Sequence, residues 1–232
     1  LRERIWHELE RRGVVTFPKP ARGRIPNFVG SGEAAARLRS LPVYTSAKTI
    51  FANPDAAQLA VRELALRDGK RLIMATPRLR EGFIMLDPKT IKNPREAATI
   101  RGAFKHGRNV DIRKVKVDLI VEGSVAVDLR GGRVGKGGGF GDIEVAILKE
   151  VGAAADATPI VTTVHELQIV ESVPMTEHDM PVDFIITPER TIEVEHGYRK
   201  PPGIFWELLP PDAFKQMPIL AELRRNRDSR RG

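Results

Sequence analysis

The sequence predicts an α/β protein built on a layered sheet, and two observations carry that prediction. Short apolar runs at Lys48–Ala52, Leu72–Ala75 and Val115–Val121 have the length of buried strands. Segments with helical spacing alternate with them, and such alternation argues for helices packed on a sheet. A third feature, the glycine-rich stretch Gly131–Asp142 (GGRVGKGGGFGD), places the chemistry within that framework.

The elements follow in order. Arg2–Arg12 reads as a helix, with Ile5 and Leu9 four apart on one face. Thr16–Phe28 is rich in proline and basic residues and reads as a loop. Ser31–Leu41 reads as a helix with Ser31 as its N-cap, and Asp55–Leu66 as one that stops near Gly69. The run Leu72–Ala75 is closed by Thr76-Pro77, and Asn93–Lys105 is helical in pattern. Val115–Val121 and Val125–Val127 read as strands ahead of the glycine stretch, and a helix follows from about Asp142 to Val151. Ile160–Val164, Gln168–Val170 and Val182–Ile186 are further β-rich runs. Past Gly197 the pattern turns irregular and proline-rich. The expected division is therefore an α/β domain over residues 1–196 and a C-terminal extension over 197–232 that wraps it.

Composition narrows the function classes. With 232 residues and 41% apolar content, the chain can fill a substantial core. No window approaches a membrane span, and the charged, amphipathic opening is unlike a signal peptide, so a cytoplasmic protein is expected. The chain opens on Leu, so residues upstream of it are expected. It has no cysteine, which removes disulfides, thiol catalysis and cysteine-ligated zinc. High charge, no cysteine and scarce glutamine resemble thermophile compositions. The net charge of +8 suits polyanionic partners, from nucleotides to nucleic acid, or serves a solubilising surface. Glu222–Arg231 supplies five arginines of that excess, as a basic tail.

In the glycine stretch, backbone N–H groups can approach an anion closely, and the positive end of the following helix points at the same place. Arg133 and Lys136 flank the loop and suit phosphate oxygens. Asp142 reads either as a plain helix N-cap or as a carboxylate that holds Mg²⁺ together with phosphate. The loop itself reads either as a phosphate cradle or as a mobile surface loop. Neither GxxxxGK[ST] nor GxGxxG fits it. Other signatures fail too. His165-Glu166 lacks the second His of HExxH, because position 169 is Ile. His178-Asp179 has no third ligand at a recognisable spacing, and Ser124 lies outside a GxSxG elbow. Aromatic platforms for stacking bases are scarce, so no motif supports nucleic-acid binding.

The loop GRVGKGGGFGD resembles the signature G-x-R-L-G-x-G-x-G-Y-Y-D of the 5-formyltetrahydrofolate cyclo-ligase (methenyltetrahydrofolate synthetase) family. Other segments agree in order. Leu1-Arg2 resembles the end of the family's Lys-x-x-Leu-Arg, and Pro77-Arg78 follows a strand as the family's Pro-Arg does. Gly123–Asp128, Gln168 and Val173–Val182 match further segments. RIPNF, TPRLR, GSVAV and MPIL extend the likeness to the synthetase-like domain of methenyltetrahydrofolate synthetase domain-containing proteins and their archaeal relatives. The resemblance implies a three-layer α/β/α fold with a mainly parallel sheet. It implies MgATP and a reduced folate as ligands. It also implies a reaction in which the formyl oxygen of 5-formyltetrahydrofolate is phosphorylated, N10 closes the ring, and phosphate leaves to give 5,10-methenyltetrahydrofolate. Such chemistry needs phosphate positioning and charge stabilisation. By the same resemblance Arg133 and Lys136 are the catalytic cations. Arg2, Arg78, Gly135, Gly137, Gly138, Gly139 and Phe140 line the nucleotide and folate, and Asp142 holds Mg²⁺.

The chain also departs from the pattern. Gly138 stands where the family usually has Lys, and Phe140 and Gly141 replace its two Tyr. Ile143 replaces a basic residue, and no Glu lies near Pro54–Leu59, where a folate-contacting Glu is expected. Two readings follow: an ATP-dependent cyclo-ligase, or a nucleotide- or nucleic-acid-binding protein that keeps the fold without the reaction.

Overall fold

A computed structural model describes residues 1–195 and 197–229. His196, at the expected domain boundary, and Arg230 and Arg231 of the basic tail lie outside the described residues.

The chain opens with α1 (Arg2–Arg11), and a long loop leads to α2 (Ser31–Arg37) and the short α3 (Pro42–Thr45). Then come β1 (Thr49–Ala52), α4 (Leu59–Arg67), β2 (Arg71–Ala75) and β3 (Phe83–Leu86). The pair α5 (Pro94–Ala97) and α6 (Ile100–His106) precedes β4 (Arg108–Val110) and β5 (Leu119–Glu122). A hairpin of β6 (Ala126–Asp128) and β7 (Arg133–Val134) is followed by α7 (Phe140–Glu150), β8 (Ile160–Thr163) and β9 (Ile169–Val170). The chain continues through β10 (Phe184–Ile186), β11 (Thr191–Glu193), α8 (Ala213–Gln216) and α9 (Pro218–Asp228).

The main sheet has the order β11-β10-β8-β5-β1-β2-β3-β4. Its centre, from β10 to β2, is parallel, and both edges are antiparallel. Alternation along each central strand feeds two layers. Ile50, Ala52, Leu72, Met74, Leu119 and Val121 point to the side covered by α2, α4, α5 and α6. Phe51, Ile73 and Ile120 point to the side covered by α7, where Val145, Ile147 and Leu148 meet them. The same layer takes Ala213, Met217, Leu220 and Leu223 from the last two helices. The result is the expected mixed α/β architecture with a large, mostly parallel sheet. A second sheet, β7-β6-β9, carries α1: Ile5, Trp6 and Leu9 pack on Val125 and Ala126.

Several local expectations are corrected. The N-cap of α2 is Gly30, in a left-handed backbone (φ 88°), and Ser31 is the first helical residue. Asp55–Leu66 becomes a 3₁₀ turn at Ala56–Gln58 followed by α4. Asn93–Lys105 breaks into two helices because Thr99 caps the second one, accepting from the Gly102 N–H at 2.9 Å, just as Asn93 caps the first. In Val115–Val121 only the end is strand. The irregular tail contains a regular helix, α9, started by Pro218 at a position where its missing N–H costs nothing. Among the described residues no helix is long and apolar enough to cross a membrane.

Candidate active site

The carboxyl ends of β1, β2 and β5 open on one side of the sheet, where ligands bind in open α/β folds. Two clefts meet there. The first, of about 730 Å³, is lined by Asn53, Asp55, Arg78, Glu122, Phe140 and Glu144, among others. The second, of about 760 Å³, is lined by Arg2, Trp6, Thr176, His178 and Asp179. Arg133, Gly135, Lys136, Gly139 and Asp142 belong to both, so the glycine loop is the partition between them.

The partition is shorter than the glycine run. Gly131 and Gly132 form the turn of the β6–β7 hairpin, where Asp128 Oδ1 accepts from the Gly132 N–H at 2.8 Å. The exposed part is Lys136–Gly139, with Gly135 half-buried at its start. Gly137 (φ 112°) and Gly139 (φ 66°) take backbone conformations that disfavour any side chain, and Gly139 is the N-cap of α7. A Cβ on Gly139 would meet nothing within 4 Å, and one on Gly137 only the Arg2 guanidinium at 3.9 Å. The bare loop at the positive end of an eleven-residue helix therefore has room for an anion. α1 brings Arg2 to it: Nε donates to the Gly135 carbonyl at 2.6 Å.

Arg133 is not a loop cation, as its flanking position suggests, but a buried one at 3% exposure. Its guanidinium donates to the Gly123 carbonyl at 2.8 Å and to Asp142 Oδ1 at 2.5 Å, and lies 3.4 Å from Glu122 Oε2. Burial opposes its charge, but Asp142 and Glu122 outweigh burial and hold it firmly protonated. Asp142 is the third residue of α7 and not its N-cap, and its Oδ1 also accepts from the Met180 N–H at 2.9 Å. Lys136 is not unpaired: Nζ donates to Asp55 Oδ1 at 2.6 Å, closing the loop onto the β1–α4 turn. Arg78 stands exposed on the rim of the first cleft in a left-handed backbone (φ 56°), and buried Leu79 beside it shares that backbone conformation (φ 52°). For non-glycine residues that conformation costs on the order of 1–3 kcal/mol.

Three residues that sequence reasoning passed over form the floor of the first cleft. Asn53 Nδ2 donates to Glu144 Oε2 at 2.8 Å and to Glu122 Oε1 at 3.2 Å, and Asn53 Oδ1 accepts from the Gly123 N–H at 2.7 Å. Burial pushes the Glu122 carboxyl up to about 7 and the Glu144 carboxyl well above the usual range. The turn carrying Asn53 and Asp55 is fixed by buried Arg62, which donates to the carbonyls of Asn53, Asp55 and Ala98. The signals were present: a Glu ends the apolar strand LIVE, and a Glu interrupts the apolar face of IEVAIL.

Two of the departures are explained by neighbours. A Cβ on Gly138 would stand 2.9 Å from the Phe140 ring, so the ring covers the place a longer residue would need. A Cβ on Gly141 would stand 2.7 Å from Glu122 Oε2. Of the remaining candidates, Ser124 is buried and bonded to Thr162 Oγ1 at 2.7 Å. His165 Nδ1 accepts from the Leu167 N–H, and its neighbour Glu166 pairs with Arg190. Among the described residues no group of three or more His, Cys, Asp or Glu is placed to hold a metal ion.

Fold and site together define an α/β protein with paired clefts on either side of a glycine loop. The chain belongs to the 5-formyltetrahydrofolate cyclo-ligase family, whose model matches residues 1–188. It is 40% identical to the methenyltetrahydrofolate synthase domain-containing protein of Bos taurus, across 97% of this chain and 61% of that protein. The Homo sapiens protein of the same description is 38% identical across 97% and 60%. The chain thus spans about three fifths of the length of these curated relatives. The 5-formyltetrahydrofolate cyclo-ligase of Escherichia coli K12 is 32% identical over 92 residues, 38% of this chain and 48% of that one. In structure, the methenyltetrahydrofolate synthetase of Aquifex aeolicus superposes with a TM-score of 0.51 at 20% identity, covering 84% of this chain and 92% of that one.

Proposed function

We propose that the chain is an ATP- and Mg²⁺-dependent ligase acting on a reduced folate, of the type that converts 5-formyltetrahydrofolate to 5,10-methenyltetrahydrofolate. One observation carries this reading: a bare glycine loop at the head of α7 separates two clefts, and Arg133 from β7, Lys136 from the loop and Asp142 from α7 line both. A reaction that moves a phosphoryl group between two bound molecules needs such a shared wall.

The residues fit a triphosphate. The backbone is open at Gly137 and Gly139, Arg2 and Lys136 stand at its two sides, and Asp142 faces both clefts. Bound there, MgATP supplies the phosphoryl group that activates the formyl oxygen. Lys136 leaves Asp55 to meet phosphate, while Arg133, locked by Asp142 and Glu122, holds those two carboxylates in place beneath the loop. The first cleft, with its carboxylate floor, takes the folate. The alternative, a nucleotide- or nucleic-acid-binding protein that keeps the fold without the reaction, gains little from Arg224 and Arg227, whose guanidinium groups stack on Phe214 at 5.3 Å and Trp206 at 5.5 Å.

Calorimetric titration with MgATP tests the assignment. Lys136→Ala is expected to weaken binding by about tenfold or more, the loss of one charge-assisted contact. Unchanged affinity would remove the loop from the nucleotide site.

A further inference from the structure

The floor of the first cleft holds an acceptor that an ion pair with Arg133 reaches at 3.4 Å but no hydrogen bond of the chain satisfies. Glu122 is fully buried, and its Oε2 accepts no hydrogen bond. Buried polar atoms are normally satisfied, and an orphaned one in a cavity wall points to a missing donor. A second buried carboxyl, Glu144, lies beside it, tied to the same Asn53 amide. The cleft also has an apolar part to its lining, from Ile25, Pro54, Leu59, Pro77, Ile100 and Phe140, beside charged Arg24, Arg78 and Lys136. Ile100 is 42% exposed on this wall, an apolar side chain that a flat ring would cover. A metal cation is a poor fit for the orphaned oxygen, because Arg133 Nη1 already stands 3.4 Å away and would repel it.

We propose that Glu122 and Glu144, spaced by Asn53, receive the donor edge of a 2-amino-4-oxopyrimidine ring, the group shared by pterins and guanine. That ring carries a ring N–H and an exocyclic amine side by side, and both donate to carboxyl oxygens. Glu122 Oε1 and Glu144 Oε2 are held by Asn53, which fixes the pair, and Glu122 Oε2 takes the ligand. Gly141 serves this arrangement, since any side chain there would cover Oε2. The inference rests on the reading of the first cleft as the place of the organic substrate, and it names the two residues that select that substrate's ring.

The test is titration calorimetry on the full chain without ATP, using two matched pairs of probes. Pterin is compared with lumazine, which keeps the bicyclic shape and replaces the 2-amino group by oxygen. Guanosine is compared with inosine, which lacks that amine. A site built around the amine should prefer its owner by about tenfold or more. Preference confined to the pterin pair assigns the ring to a pterin, and preference confined to the guanosine pair assigns it to a guanine nucleotide. Glu122→Gln and Glu144→Gln should each erase the preference, and either one suffices if the other does not fold. Equal binding within both pairs overturns the proposal, and so does Mg²⁺ that displaces pterin from the wild type. Because no turnover is read, an inactive ligase would leave this result standing. A working ligase that binds both members of each pair equally would overturn this inference alone.

Discussion

Glu122 Oε2 lies 2.7 Å from the point where a Cβ on Gly141 would stand, so the residue that ends β5 dictates glycine in the first turn of α7. In an ordinary helix, Gly→Ala is worth about 1 kcal/mol of added stability. Here the added methyl meets a buried carboxylate held by Asn53 and flanked by Arg133. Gly141→Ala is therefore expected to lose about 1–3 kcal/mol, the usual range for overpacking. Chemical unfolding measures it, and a stabilised variant would mean that the carboxylate moves aside freely.

The same carboxylate makes stability depend on pH. Burial raises Glu122 from 4.5 to about 7, and Glu144 moves the same way. Between the unfolded and folded values the native state binds more protons than the unfolded chain. Stability therefore falls as pH rises through that window, opposite to an ordinary salt-bridged carboxylate. Glu122→Gln should flatten the slope of unfolding free energy between pH values of about 4.5 and 7. An unaltered slope would contradict the burial of that group as an ionisable one.

The glycine loop was legible because its residues are consecutive. Gly135, Gly137 and Gly139, with Arg133, Lys136 and Asp142, carry their register within a few positions. The carboxylate floor was not legible, since Asn53, Glu122 and Glu144 come from β1, β5 and α7 and meet only once the sheet has formed. The pairings hidden in the loop were lost for the same reason. Arg133 and Lys136 read as free phosphate cations, but Asp142 and Asp55 engage them in the fold. Among the strands, the parallel centre was visible as apolar runs. The edge strand β4 (RNV) was not, because an edge strand exposes polar side chains and has no apolar period to read.

Arg133 is the counterion of a buried pair, and its removal should show as structural loss. Arg133→Leu would leave Asp142 and Glu122 without their cation and is expected to cost about 3–5 kcal/mol in urea unfolding. A variant as stable as the wild type would mean that these ion pairs add nothing to the fold.

Lys136 should behave oppositely. Its ammonium is paired with Asp55 at a partly exposed site, where such contacts contribute about 0–1 kcal/mol. Lys136→Ala is thus expected to unfold within about 1 kcal/mol of the wild type while losing MgATP affinity. A large drop in stability would mark Lys136 as a structural strut rather than a ligand group.

The central claim is that the shared wall of the two clefts transfers a phosphoryl group to a bound folate. Its most direct measurement is the ultraviolet absorbance of a methenyltetrahydrofolate product during incubation of the chain with 5-formyltetrahydrofolate and MgATP. The account predicts absorbance that grows with time, requires both ligands, and is lost in Lys136→Ala. A flat trace from a folded chain that binds MgATP would contradict it.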